Sequence, residues 1–346
     1  MLPLSNTYNR FSQITAYSKV CFSSEPSANG NKLESVLIGN SSAIQGIRRQ
    51  IKLLAQQGVP ILLTGETGTG KTIAARAIHD ESLRSKETFV PLNCGGVNPQ
   101  FVLSDMFGHK KGAFTGATED RKGLMPTAHR GTAFLDEVGD ADPIVQQALL
   151  TFLEDGQYRP LGSDDQQKVD VRVIAASNKK LEGENSATRP DLFYRLNRFP
   201  IEFPPLKDRP EDIAPIALAM VERMKTALQR PNLKGLSPSA LNRLVGYHWP
   251  GNLRELGSII ERAIVMAGDK PWLEADDILL PAKKTVSPVT PTSGLKSSTN
   301  VTEKVLIEQT LAATKNNRTK TAAILGISRV TLYKKMKKYG LMPGKP

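Results

Sequence analysis

Gly65-Glu66-Thr67-Gly68-Thr69-Gly70-Lys71-Thr72 satisfies G-x-x-x-x-G-K-[ST] at every fixed position, the spacing of a phosphate-binding loop between a strand and a helix. The flanks agree. Val59-Pro60-Ile61-Leu62-Leu63 is an apolar run of strand length, and Ile73, Ala74, Ala77 and Ile78 follow at helical spacing. Glycines at 65, 68 and 70 let backbone N–H groups turn inward, where the helix N-terminus strengthens their field around an anionic phosphate chain. In that arrangement Lys71 reaches the β- and γ-phosphates of a bound nucleotide and Thr72 holds Mg²⁺. A chance glycine turn would not bring strand, helix, Lys and Thr together.

The rest of the sheet is legible on the C-terminal side. Apolar runs at 88–92, 132–135, 171–176 and 199–203 alternate with helical segments, the pattern of a largely parallel α/β sheet buried on both faces. Ligands of such sheets sit outside the carboxyl ends of the strands. Asn93, the pair Asp136-Glu137, and Asn178 follow three of these runs, so they share the edge that carries the phosphate loop. Nucleotide hydrolysis needs a metal-holding carboxylate and a group that orients the attacking water. Asp136 is assigned to Mg²⁺, Glu137 to the water and Asn178 to the γ-phosphate. Arg189 and Arg195 flank residues 190–194 and are candidate finger arginines, with surface ion pairing as the alternative.

Composition divides the chain further. Residues 1–36 lack sustained periodicity and read as a disordered leader; they have neither the continuous apolar segment of a secretory signal nor the arginines of a transit peptide. An α/β ATPase core is expected at 37–205 and a small α-helical lid at 206–280, with helices at 210–224, 237–246 and 253–266. Ser237-Pro238 suits a helix start, Ser as cap and Pro in the first turn. The Pro-, Ser- and Thr-rich stretch 281–300 reads as a flexible linker. In 301–346 a short helix, a turn at Gly326 and a second helix capped by Ser328 form a helix-turn-helix pattern. Its DNA-facing candidates are Thr319, Lys320, Ser328, Arg329, Thr331, Lys334, Lys335 and Lys338.

Of the formal charge of +12, +8 lies in 301–346, which carries ten Lys or Arg against two Glu. A basic end on a near-neutral body points to double-stranded DNA. No run approaches the roughly 18–20 apolar residues of a membrane span. Cys21 and Cys94, far apart, supply neither a disulfide framework nor a zinc site, which fits a reducing, cytosolic compartment. The scattered histidines 79, 109, 129 and 248 read as surface or packing residues.

The hexapeptide Gly112-Ala113-Phe114-Thr115-Gly116-Ala117 resembles the loop signature of the bacterial enhancer-binding proteins, the AAA+ activators of sigma-54 RNA polymerase. Three further stretches look like that family's motifs and stand in its order: Ser104-Asp105-Met106-Phe107-Gly108-His109, Gly131-Thr132-Ala133-Phe134-Leu135-Asp136-Glu137, and Trp249-Pro250-Gly251-Asn252-Leu253-Arg254-Glu255-Leu256. The resemblance covers about 37–281, and the terminal segment is similar to a Fis-type helix-turn-helix. It implies a mobile loop whose tip, Phe114 and Thr115, contacts the sigma-54 holoenzyme. It implies that Asn93 holds the catalytic Glu137 until the partner engages, and that Arg254 is the lid's nucleotide sensor. Arg189 and Arg195 match positions that act on ATP in the neighbouring subunit of a ring, in this family usually a hexamer.

The layout is similar to short activators of the phage-shock and Hrp types that have no sensory domain, so control by a regulatory protein partner or by protein amount is expected. Pro126 stands where the family commonly has Glu, Ala133 for Leu, Ser177 for Thr and Ser258 for Asn. The expected activity is ATP-dependent remodelling of the closed sigma-54 promoter complex. A DNA-binding repressor or scaffold that uses ATP only to oligomerise is the alternative. A helicase or loader fits less well, because nothing resembles a strand-separating element.

Overall fold

The computed structural model describes residues 32–96, 98–183, 186–281, 307–308, 310–311, 314, 317–325, 327–339 and 341. They belong to two compact units that divide between Leu279 and Leu280. Ahead of the lid, the strands of the first unit are β1 (Ile61–Thr64), β2 (Phe89–Asn93), β3 (Gly108–His109), β4 (Arg121–Lys122), β5 (Thr132–Asp136), β6 (Gln157–Tyr158), β7 (Gln167–Lys168), β8 (Arg172–Ser177) and β9 (Pro200–Glu202). Five of them form one sheet in the order β2-β5-β8-β1-β9, every pair parallel. The order reverses at β1, so the crevice at a topological switch point opens where the phosphate loop begins.

Period-two alternation distributes the strand side chains between two cores. Leu62, Leu92, Ala133, Leu135, Val173 and Ala175 pack on one face against the helices Pro99–Phe107, Pro143–Asp155 and Pro190–Leu196. Ile61, Leu63, Phe134, Ile174 and Ile201 pack on the other against Ser42–Ala55 and Lys71–Asp80. Pro91 is tolerated inside β2 because β2 is an edge strand.

One boundary differs from the sequence reading. The leader does not run to residue 36 as disordered chain: Lys32–Val36 is a short helix, and Leu33 and Leu37 join the second core beside Ile44 and Ile51. A single turn with two apolar anchors is too short to register as periodicity, yet burying them fixes it. Residues 1–31, most of 281–300 and Gly326 lie outside the described residues.

The lid belongs to the first unit. Its first helix is Ile213–Ala227, preceded by a 3-10 turn Pro210–Asp212 where the sequence suggested a helix from 210. Pro238–Val245 is capped by Ser237, whose Oγ accepts the Ala240 N–H at 3.2 Å, and Asn252–Met266 completes the lid. In the second unit, helices Arg318–Ile324 and Arg329–Lys338 pack through Ala322, Leu325, Leu332 and Met336 onto Ile307 and Leu311. Among the described residues no helix is long and apolar enough to cross a membrane.

Candidate functional site

Residues 65–72 link β1 to the helix Lys71–Asp80, and Gly65, Gly68 and Gly70 all have positive φ (138°, 80° and 109°). The lysine ammonium lies across the loop and donates to the carbonyls of Gly65 at 2.7 Å and Glu66 at 2.9 Å. Burial pulls the Lys71 pKa down, opposed by the charges of Asp136 and Glu137. Thr69 is buried and donates its hydroxyl to Glu66 O, whereas Thr72 is exposed. At the end of β5 the same burial pushes the Asp136 carboxyl up, with Lys71 and Arg254 pulling it back.

Glu137 takes the left-handed conformation, φ 56°, unusual for a residue with a Cβ. That turn presents its carboxylate to Asn93, whose Nδ2 donates to Oε2 at 2.8 Å. Asn93 is fixed in turn, because its Oδ1 accepts the Gly95 N–H at 2.7 Å. A side chain on Gly95 would meet Glu137 Oε2 at 2.9 Å, so glycine there leaves the carboxylate room. From β8, Asn178 Nδ2 donates to Thr67 Oγ1 at 3.0 Å. Ser177 keeps its hydroxyl in a local turn with the Lys179 backbone. The four strand-end residues thus converge on the phosphate loop.

The two finger candidates do not join this cluster within the chain. Arg189 is exposed and pairs with Asp191 at 2.7 Å. Arg195 donates to the carbonyls of Leu153 and Glu154 at 3.0–3.2 Å. Arg254 does reach it: its Cβ would lie 3.2 Å from a Cβ on Gly68, and its charge acts on both Lys71 and Asp136.

Sequence reasoning passed over three further residues. Asn252, buried in the left-handed region at φ 51°, donates from Nδ2 to Glu66 Oε2 and to Thr67 O, both at 3.1 Å, and accepts the Leu206 N–H at 2.7 Å. Arg209 Nη2 donates to Thr69 O at 3.1 Å. Asp212 accepts from Asn40 N, Ser41 N and Ser41 Oγ at 2.5–2.8 Å. The signal for Asn252 was its place after Gly251 in a motif whose arginine drew the attention; Arg209 and Asp212 sit in an unremarkable charged turn.

The hexapeptide 112–117 crowns the hairpin of β3 and β4. Gly112 N–H donates to Ala117 O at 2.9 Å and closes it, while Asp120 clasps its neck through Lys110 Nζ at 2.7 Å and the Lys111 N–H at 2.8 Å. Phe114 lies edge-on to His109 (4.9 Å) and Phe101 (6.0 Å), and Thr115 is exposed. Pro126 sits at the third position of the helix Leu124–Thr127. A helix leaves that N–H unbonded, so the fold absorbs the proline.

On the recognition helix of the second unit, Ser328 caps through Oγ to the Thr331 N–H at 3.1 Å. Arg329 and Lys334 are exposed, as are Thr319 and Lys320 on the preceding helix, whereas Leu332 and Met336 are buried; Thr331 and Lys335 are half-buried. Lys338 lies over the Tyr339 ring at 5.2 Å. Val330, Tyr333 and Lys337 share the exposed side and were not singled out from sequence.

Strand order, phosphate loop, acidic pair and helical lid together define an AAA+ P-loop nucleoside triphosphatase. The comparisons narrow the class. Residues 37–202 match the sigma-54 interaction domain, 207–291 the AAA+ ATPase lid domain and 300–339 the Fis family of bacterial regulatory proteins. The hydrogenase transcriptional regulatory protein HoxA of Bradyrhizobium diazoefficiens is 43% identical over 296 residues, 83% of this chain and 61% of that one. The regulatory protein AtoC of Escherichia coli (strain K12) is 38% identical over 317 residues, 89% of this chain and 68% of that one. NtrX from Brucella abortus in complex with ATP superposes with a TM-score of 0.65 at 29% identity, covering 96% of this chain and 72% of that one. The chain belongs to the sigma-54 activator family of AAA+ transcriptional regulators. It spans 61–68% of the length of these two curated relatives.

Proposed function

We propose that this chain hydrolyses ATP in a ring, usually a hexamer in such proteins, to remodel the closed sigma-54 holoenzyme–promoter complex from an upstream DNA site. The observation that carries this reading is the Asn93–Glu137 hydrogen bond of 2.8 Å. It holds the base that must orient the attacking water, and a protein using ATP only to oligomerise has no need of such a restraint. Lys71 and the loop N–H groups bind the phosphate chain, Asn178 orients its terminal group, and Arg254 reads it from the lid. One carboxylate and one hydroxyl, Asp136 and Thr72, suit a metal that takes its other ligands from phosphate and water. Mg²⁺ held there would neutralise charge on the β- and γ-phosphates.

Arg189 and Arg195, remote from their own chain's loop, serve the neighbouring subunit. Thr115 and Phe114 engage sigma-54, and the basic recognition helix engages double-stranded DNA in the bacterial cytoplasm, on the nucleoid when bound. The test is open-complex formation by sigma-54 polymerase with ATP, with a non-hydrolysable analogue, and with Thr115→Ala. Opening only with ATP and intact Thr115 is expected. DNA binding without hydrolysis at any protein concentration returns the repressor reading.

A further inference from the structure

The lid takes hold of four successive residues of the phosphate loop. Glu66 is held through its carboxylate by Asn252 Nδ2, Thr67 through its carbonyl by the same nitrogen, Gly68 through its carbonyl by the Leu253 N–H at 2.9 Å, and Thr69 through its carbonyl by Arg209. The approach is close. A Cβ on Gly68 would lie 2.5 Å from Gly251 O, so this glycine serves the lid contact as well as the loop's turn. Asn252 is the one side chain in this set that also binds the core–lid junction, accepting the Leu206 N–H at 2.7 Å. It is fully buried, and its positive φ aims the amide at both.

We propose that Asn252 is a positioning residue that transmits the shape of the phosphate loop to Arg254, two residues further along. The proposal rests on nucleotide binding at this loop. The amide is satisfied in one arrangement: two acceptors on the loop, one donor at the junction. A loop pushed open by a phosphate chain carries Asn252 with it, and the first turn of Asn252–Met266 follows, setting Arg254 over the site. A loop in another shape leaves a buried amide donor without an acceptor, an arrangement that buried polar groups avoid. Arg254 is thereby seated in step with the loop.

The experiment uses the full chain with a fluorescent ADP analogue and steady-state ATP hydrolysis, without polymerase, so its outcome is independent of promoter opening. Asn252→Asp keeps an acceptor for Leu206 but sets a carboxylate against Glu66. It is expected to weaken ADP binding at least about tenfold and to raise KM for ATP alike, with kcat at saturation within about threefold. Adding Glu66→Gln supplies an amide donor to that carboxylate and is expected to recover part of the lost binding, at least about threefold, while the Thr67 carbonyl stays without its donor. Asn252→Gly, which suits the positive φ, provides the same loss should the aspartate variant misfold by circular dichroism. Combined with Arg254→Ala, it should weaken binding no more than about twofold beyond Arg254→Ala alone, because the two act as one unit. Binding within about twofold of the parent in Asn252→Gly, no recovery by Glu66→Gln in a folded Asn252→Asp, or fully additive losses with Arg254→Ala would each overturn the proposal.

Discussion

Asp212→Ala is expected to destabilise the nucleotide-binding unit by about 4 kcal/mol, chiefly by stranding a buried cation. Asp212 and Arg209 are 0% and 2% exposed and stand 4.0 Å apart. The same carboxylate takes the Ser41 N–H at 2.8 Å, the Ser41 hydroxyl at 2.6 Å and the Asn40 N–H at 2.5 Å. Alanine removes all four partnerships and strands a guanidinium whose Nε already lacks a hydrogen-bond partner.

Breaking one side of a buried ion pair costs about 3–5 kcal/mol. Adding about 1.5–3 kcal/mol for each charge-assisted hydrogen bond would count the same desolvation twice. Arg209 keeps its bond to Thr69 O, which holds the total near the middle of the range. Both tryptophans, Trp249 and Trp272, lie in the lid, so fluorescence during urea unfolding reports on this unit. With a slope of about 2–3 kcal/mol per M, the midpoint should fall by roughly 1.5 M. Asp212→Asn, which retains one acceptor for the two N–H groups, should lose about half as much. Arg209→Met added to Asp212→Ala should restore about 1–2 kcal/mol by removing the stranded cation. A midpoint shift below roughly 0.5 M for Asp212→Ala, or a double variant weaker than the single, refutes the reasoning.

Three further outcomes are expected. Glu137→Gln keeps the Asn93 contact but not the base, so ATP turnover should fall at least about a hundredfold with nucleotide affinity within about threefold; a loss confined to affinity would contradict the assignment. Because the Asp136 pKa is raised above the ordinary carboxylate value, its contribution to stability without nucleotide is present below that value and is lost as pH rises through the raised one. Mg²⁺-dependent nucleotide affinity, which needs the ionised carboxylate, should run the opposite way and decline as pH drops through the same window; urea unfolding at stepped pH checks the first sign and isothermal titration the second, and Asp136→Asn should flatten both profiles. DNA affinity should fall steeply with salt, and Lys334→Gln should reduce the log–log slope by about 0.9, whereas Arg329→Gln should change sequence preference if it reaches a base edge. Equal losses on all sequences for both would remove Arg329 from base readout.

The legible part of this protein was the part whose chemistry is local in sequence. Four apolar residues ending in Asp136-Glu137, or a glycine loop ending in Lys71-Thr72, carry their geometry with them, since a buried parallel strand delivers its last residue to one edge of the sheet. Both core faces follow from the alternation of Ile61, Leu62 and Leu63 alone. What sequence did not give was where separate segments meet. That Asn93 holds Glu137 was available only as an implication of resemblance, because the register of β2 against β5 brings Asn93 opposite Asp136 and no spacing along the chain encodes it.

Asn252, Arg209 and Asp212 are illegible for the same reason, made stronger by residue type: an Asn after Gly reads as a turn, and Arg and Asp three apart read as a solvated helix pair. Their meaning comes from burial that the packing of lid on loop creates. The nucleotide site is consequently two structures superposed. A phosphate-facing layer is written in contiguous motifs, and behind it a layer of buried polar side chains from the lid fixes the loop's outer carbonyls. Chemistry constrains the first layer, while the second ties lid to loop through the hydrogen bonds of Asn252 and Arg209. Arg254 stands in both: its guanidinium belongs to the phosphate side, while its place along the helix is set by Asn252 behind.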